Sequence, residues 1–381
     1  MLNPKLLNPK LLVAALTALF AVPAFADPAP AAPAGPTLSS VLDASGISLS
    51  GDIDVSYNHL SGAGKFTSGT NDRVFDYAPN SFTTQAVDLT VSKLPAEGFG
   101  GLVDVTLGKD ASTIASFGTA SPGQTYDLTQ AYVQYATGSY TTIAGKFATL
   151  AGEEVIKASG NTNFSRSILF GYAIPFTHTG VRETYKISDA VSLIGGVNNG
   201  WDQATDTNAN KTIELGAALN PTKSFALTAQ DYYGTEQVAG TPFGAQGKRN
   251  LLDLVATYTV SDSLNFVLNP DFGSQENATL ANGSTGSAKW SGMAAYANYQ
   301  INDPWRVSVR AEYFNDKDGY RTGIAQKWKE ATLTVGYAAS KNTELRGEIR
   351  KDTSDQASFA YNDGIARKSQ DSVGLEAVYK F

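Results

Sequence analysis

The sequence has no cysteine, which excludes disulfides, lipid attachment through a cysteine, thiolate metal sites and thiol catalysis. Histidine is almost as scarce: only His59 and His178 occur. Long apolar runs are missing too. The longest, Leu11 to Val22, holds twelve residues, against roughly 20 for a helix that crosses a bilayer. Basic residues are outnumbered, with 29 Lys and Arg against 36 Asp and Glu for a net charge of −7, whereas nucleic-acid binding needs them clustered on phosphates. Nucleic acid is therefore not an expected partner, and no cofactor or metal is implied.

What is present begins with Lys5 and Lys10 ahead of that apolar run, closed by Ala24-Phe25-Ala26. This is the order of a secretory signal peptide with an A-x-A cleavage site. Residues 1–26 are therefore expected to be removed, leaving a net charge of −9. Residues 27–46 read as a periplasmic leader, of which the Pro/Ala-rich Asp27 to Thr37 is expected to be flexible or extended. From Ile47 the pattern changes. Ile47, Leu49, Gly51, Ile53, Val55 and Tyr57 alternate with Ser48, Ser50, Asp52, Asp54, Ser56 and Asn58, the period of an extended strand with one apolar and one polar face.

The same rhythm recurs to the end of the chain and predicts sixteen strands. They start near Ile47, Ser81, Phe99, Tyr126, Tyr140, Thr179, Val191, Lys211, Ser224, Asn250, Leu264, Ala288, Trp305, Gln326, Thr343 and Lys368. Their connections alternate between tight turns, such as Thr137 to Ser139 and Ser261 to Ser263, and eight longer polar loops. A soluble sandwich is the competing reading, but it would bury both sheets against one core and vary its connections irregularly. Here the apolar face is nearly free of charge and ends in aromatics, among them Tyr57, Tyr135, Tyr185, Phe225, Tyr299, Trp305, Tyr313, Tyr337 and Tyr379. The polar face carries charges too numerous, if unpaired, for a packed core. An all-β transmembrane antiparallel barrel over residues 47–381, in the outer-membrane lipid of a bacterium, accounts for both faces. Its short turns would be periplasmic and its long loops extracellular.

Lipid gives an open sheet edge no hydrogen-bond partners, so the last strand must pair with the first. Val373, Leu375, Ala377, Tyr379 and Phe381 face outward in it. Ending on an aromatic, it resembles the carboxy-terminal strand read by the barrel-insertion machinery, with Tyr379 and Phe381 as the signal. Several strings in this order resemble the β-barrel porin family described as OmpL-like. They are Asn80-Ser81-Phe82, Gln130-Ala131-Tyr132-Val133, Gly145-Lys146-Phe147 with Gly152-Glu153, Asn163-Phe164-Ser165-Arg166-Ser167, His178-Thr179-Gly180-Val181 and Asn199-Gly200-Trp201-Asp202. The resemblance implies a bacterial outer-membrane porin and names no solute.

Sixteen strands leave an aqueous bore, so passive diffusion of small hydrophilic solutes or ions is the expected function. The third loop, residues 148–178, is long and unusually apolar, holding Val155, Ile156, Phe164, Ile168, Leu169 and Phe170. It is expected to fold inward and narrow the pore, with Glu153, Glu154 and Arg166 at the constriction. A basic ladder of Lys146, Arg182, Lys186, Arg306, Arg310, Arg346 and Arg350 should face the lumen, since Arg against mid-bilayer lipid costs about 2–4 kcal/mol. Asp52, Asp54, Asp88, Asp104, Glu312 and Glu348 share that face, where cross-strand ion pairs that stiffen the wall are the plainer reading. The acidic and basic groups pull ion selectivity in opposite directions and leave it open.

A substrate-specific channel and a plugged structural or adhesive barrel are the alternative functions. Catalysis is not expected, because neither histidine sits in a nucleophile motif. Gly62-Ala63-Gly64-Lys65 lacks the first Gly and the Ser/Thr of a phosphate loop, and Asp316-Lys317-Asp318-Gly319 lacks the remaining ligands of a calcium loop. Trp201, Tyr232, Tyr233, Trp290 and Tyr296 could stack sugars, though anchoring and loop packing explain aromatics more simply. Sixteen-stranded porins are commonly homotrimers, yet no interface signature stands above the lipid-facing pattern.

Overall fold

The computed structural model describes residues 37–62, 73–76, 78, 80–119, 123–237, 245–361 and 363–381. The signal segment 1–26, the leader up to residue 36 and residues Ala63 to Phe66 of the glycine-rich first loop lie outside them. The chain divides into residues 1–45 and 46–381. In the first unit Leu38–Ser45 is helical. That stretch has no proline, spaces Leu38, Val41 and Leu42 along one side, and is capped by Thr37, whose Oγ1 accepts from the Ser40 amide at 3.2 Å.

The second unit is a closed antiparallel barrel. Its strands are β1 (Ser48–Leu60), β2 (Ser81–Lys93), β3 (Gly98–Leu107), β4 (Tyr126–Thr137), β5 (Tyr140–Ala148), β6 (Thr177–Ser188), β7 (Val191–Asn198) and β8 (Thr212–Thr222). They continue as β9 (Phe225–Gln237), β10 (Gln246–Ser261), β11 (Leu264–Thr279), β12 (Thr285–Gln300), β13 (Trp305–Asp316), β14 (Gln326–Ala338), β15 (Thr343–Ser354) and a C-terminal strand, Ser369–Lys380. Each neighbours the next in sequence, and the C-terminal strand closes on β1 with Ile53 opposite Tyr379 and Val55 opposite Ala377. Phe381 extends that seam, exchanging two backbone hydrogen bonds of 3.0 Å with Gly51. The strand count and order match the sequence reading. β10 starts four residues early, at Gln246, because Lys248 and Asn250 interrupt the outward apolar row without interrupting the backbone ladder to Thr235 and Tyr233.

Burial is inverted relative to a soluble protein. Outward Val55, Phe82, Phe99, Val133, Leu215 and Ile349 are exposed, while inward Asp54, Asp88, Arg310, Thr334 and Asp352 are buried. Aromatic pairs line the periplasmic end of the outer wall: Phe99 with Tyr135, Tyr140 with Tyr185 and Trp305 with Tyr337, at centroid distances of 4.8, 4.6 and 4.6 Å. Tyr57 and Phe82 form a comparable pair at the other end, 4.8 Å apart. Rings of this kind suit the two boundaries between hydrocarbon and headgroups.

Candidate functional site: the third loop and the inner wall

The third loop leaves β5 at Ala148 and returns at Thr177, and its polar atoms bond to inward side chains around much of the barrel. The Glu153 amide donates to Asn269 on β11 at 3.1 Å, and the Ser159 amide donates to Asp52 on β1 at 3.2 Å. Lys157 reaches Asp104 on β3 at 3.3 Å and also donates to Thr90 on β2. Asn163 donates to Thr334 on β14 at 2.6 Å, and the Phe164 and Ser165 amides both donate to Glu348 on β15, at 2.8 and 3.0 Å. These partners lie on opposite sides of the strand order, so the loop crosses the lumen.

A short helix, Ile168–Tyr172, is built into the loop by Ser167, whose Oγ accepts from the Phe170 amide at 2.9 Å. The free amides of Ile168 and Leu169 at its start donate to the two oxygens of Glu312, at 3.0 and 3.2 Å. Its apolar side chains have no water to face. Ile168, Leu169 and Phe170 are each 2% exposed and join inward Trp290, Tyr296, Phe314 and Trp328 in one cluster. Covering those aromatics removes apolar area from the bore, at about 25 cal/mol per Å².

At the centre stands Arg310, wholly buried. Its guanidinium binds Glu154 of the loop at 2.7 Å, Glu330 at 3.0 Å and Glu312 at 3.3 Å, and donates to the Ser165 carbonyl at 2.6 Å. Glu154 also accepts from the Ser167 amide at 2.7 Å and from the Tyr296 hydroxyl at 3.3 Å. Arg350 extends the network, donating to the Arg166 carbonyl and to Asp352, both at 2.7 Å. Arg346 binds Glu376 at 2.9 Å and the Ala158 carbonyl at 3.2 Å. Arg306 pairs with Glu344 at 2.5 Å and donates to the Thr162 carbonyl at 2.6 Å. The polar face is paired rather than unpaired, through the third loop as well as across strands. The wall charges are buried because the loop and their neighbours pair them, which is the condition on which buried charge is tolerated.

The remaining site residues sit as follows. Arg166 is buried in the loop, donating to the Ile156 carbonyl at 2.7 Å with its guanidinium 5.5 Å from the centre of the Phe75 ring. Arg182 binds Glu214 at 2.9 Å and stacks 4.2 Å from Phe147. Lys186 shares the face of Arg182 but lies at the periplasmic end, exposed and paired with Asp189 at 2.7 Å. By register Lys146 falls in the row through Val103 and Ala131, yet it is buried and its ammonium binds Asp127, which lies in the inward row with Thr106 and Asp88, at 3.0 Å and the Leu128 carbonyl at 2.7 Å, beside the irregularity that displaces Thr129 from the ladder. Asp52 and Asp88 face each other on β1 and β2, Asp88 accepting from Thr106 at 2.6 Å. Asp54 and Asp104 share the same inner surface.

Glu153 differs from Glu154. Its side chain is only partly covered, and among the described residues its carboxylate has no hydrogen-bond or ion-pair partner. Burial, with Glu154 and Asp253 nearby, pushes the Glu153 carboxyl up to about 7.

Sequence reasoning missed the packing partners Phe314 and Trp328. Both are inward positions in otherwise polar rows of β13 and β14, and that break in alternation was the available signal. Of the candidate sugar track, Trp201, Tyr232, Trp290 and Tyr296 are buried in the cluster while Tyr233 is exposed on the outer wall. His178 is buried, stacked 4.6 Å from Tyr232, with its Nδ1 3.2 Å from the Gly200 carbonyl. His59 is hydrogen-bonded to Asn80. Asp316 accepts from the Arg321 and Thr322 amides, at 2.9 and 2.7 Å, and so caps its own loop. Among the described residues no group of His, Asp and Glu could hold a metal ion.

Residues 46–381 match the family described as "Putative beta-barrel porin-2, OmpL-like". The barrel also resembles solved structures at low identity. The outer membrane channel DcaP of Acinetobacter baumannii aligns with a TM-score of 0.61 and 16% identity, covering 88% of this chain and 97% of that one. The anion-selective porin from Comamonas acidovorans gives 0.62 and 14%, covering 88% and 99%. OmpT of Vibrio cholerae in its trimer form gives 0.59 and 12%, again covering 88% and 99%. No curated protein sequence matches the chain.

Proposed function

The chain belongs to the Putative beta-barrel porin-2, OmpL-like family and is an outer-membrane porin, a passive diffusion channel; from that premise we propose that its third loop sets what passes. The observation that carries this reading is the loop's attachment to walls on both sides of the lumen, at Asn269, Arg310 and Glu348 and at Asp52 and Asp104. Small hydrophilic solutes and ions are the proposed cargo, since a bore lined by arginines and carboxylates favours polar solutes over apolar ones of equal size. Glu153 is the proposed acidic gatepost, and its ionisation tilts selectivity toward cations. No catalytic role is proposed.

In planar bilayers the refolded protein should give steady ohmic steps. Complete absence of conductance from correctly folded protein would favour a plugged barrel and remove the reading. Current block that saturates with one solute would replace it with a substrate-specific channel.

We also propose a homotrimer, the form described for the Vibrio OmpT structure. Glu183 supports it. This exposed carboxylate lies in the outward row between Val181 and Tyr185, level with Thr142 and Gly195, and its one described bond is from the Thr142 hydroxyl at 3.3 Å. A carboxylate against lipid is unfavourable, and the small outward residues Ala144, Gly195 and Ala217 around it leave room for a second subunit. Glu183→Leu should change the proportion of trimer to monomer in light scattering of the detergent-solubilised protein; an unaltered proportion would move the interface elsewhere.

A further inference from the structure

A shallow cavity of about 360 Å³ opens on the outer wall, near the extracellular end of β10 to β13. Asn250, Ser274, Lys289, Ser291, Asn315 and Lys317 line it, with Phe272 at its lower edge. The register fixes their orientation: Asn250 opposes Ser274, Ser274 opposes Lys289, and Ser291 opposes Asn315. All share the outward face with Leu252 and Phe272, which belong to the apolar belt. The cavity is therefore outside the pore, just above the hydrocarbon.

Its charge is unusual for that position. Lys289 and Lys317 are exposed, and among the described residues neither ammonium has a carboxylate within ion-pair distance. Among the described residues, no acidic one lines the cavity. The carboxylates close by are engaged with the backbone instead: Asp318 accepts from the Lys289 amide at 2.8 Å, Glu276 from the Lys248 amide at 3.3 Å and Asp355 from the Lys327 amide at 2.8 Å. Lys327 and Lys329 continue the basic rim on β14. The opposite sector differs, because β3, β4, β6 and β7 carry apolar outward residues at the corresponding height: Leu107, Tyr126, Val181 and Val197.

We propose that this groove binds the phosphorylated headgroup of an outer-leaflet lipid, with Lys289 and Lys317 clamping the phosphate and Asn250, Ser274, Ser291 and Asn315 hydrogen-bonding its remaining oxygens. An ammonium group offers three donors and suits a phosphate. The outward face below is covered by acyl chains, so a phosphate anchored to such a chain arrives at the right height. Its chain would lie against Phe272 and Leu252.

The test uses the folded, delipidated barrel in detergent, titrated with bis-phosphorylated lipid A and followed by native mass spectrometry. Dephosphorylated lipid A, phosphatidylcholine and inorganic phosphate serve as comparison probes. Lipid A should bind at least tenfold more tightly than its dephosphorylated form. The double variant K289Q/K317Q should lose at least tenfold in affinity. K351Q, whose ammonium on the same rim already pairs with Asp371 at 3.1 Å, should bind as the parent does. Unchanged conductance certifies that the variants are folded. Equal binding by the double variant, an equal loss in K351Q, or full displacement by inorganic phosphate at matched concentration overturns the proposal. Protection of both lysines from amine acylation in the lipid-free oligomer also overturns it, by assigning the face to a subunit contact.

Discussion

Arg310→Met is expected to release the third loop while leaving the barrel closed. The methionine fills much of the same volume but supplies no donors, so Glu154, Glu312 and Glu330 lose their shared cation at once. Breaking a buried pair from one side typically costs about 3–5 kcal/mol because the partner charge stays behind. The substitution also removes the Arg310 bond to the Ser165 carbonyl, and the loop can relieve the cost by withdrawing Glu154 from the wall. The sixteen-strand ladder has no such dependence, since its backbone bonds run strand to strand. Single-channel records should show larger and noisier steps, while strand circular dichroism and heat-modifiable gel mobility stay as in the parent. Adding Glu154→Gln should recover part of the loss in a double-mutant cycle. Quiet steps of parental size from R310M would mean that the loop is held elsewhere.

The second large effect is a pH-dependent selectivity governed by Glu153. Its carboxyl is raised from the ordinary 4.5 to about 7 by burial, with Glu154 and Asp253 adding repulsion. The group is neutral at pH 5.5 and mostly ionised at 8.5, so cation preference should rise as pH passes through 7. Stability of the docked loop runs the other way. A carboxyl whose folded value is raised favours the docked state fully below pH 4.5, and that contribution fades as pH climbs to about 7. Asp110 is held near 7 as well, by burial, against the opposing pull of Arg166, so the wild-type profile contains both groups. Glu153→Gln separates them. Reversal potentials in a salt gradient should lose most of their pH dependence in this variant, and should shift away from cations at pH 8.5. A wild-type profile that is flat from 5.5 to 8.5 would remove Glu153 from the conduction path.

The barrel was legible in the sequence because its physics is local. A side chain on an extended strand points to one face or the other according to parity alone, and lipid outside with polar groups inside enforces that parity residue by residue. Ile47 to Asn58 therefore declared β1, and Trp305 to Tyr313 declared β13. Turn and loop lengths added the alternation of the two ends. Lys146 departs from simple parity: its register position is outward, yet beside the displaced Thr129 and Gly145 at φ 139° its buried ammonium reaches the inward Asp127.

What the sequence determined by itself was this two-faced sixteen-strand wall and the arginines along its inner surface. Only the tertiary structure decided how those charges are spent. Arg310 meets Glu154 across 156 positions of chain, and Arg350 meets Ser165 across 185. Such pairings depend on where the third loop descends into the bore, which no periodicity encodes. They depend on packing of Ile168, Leu169 and Phe170 against inward aromatics from distant strands, because apolar contact has no sequence direction and is settled only when the walls already exist.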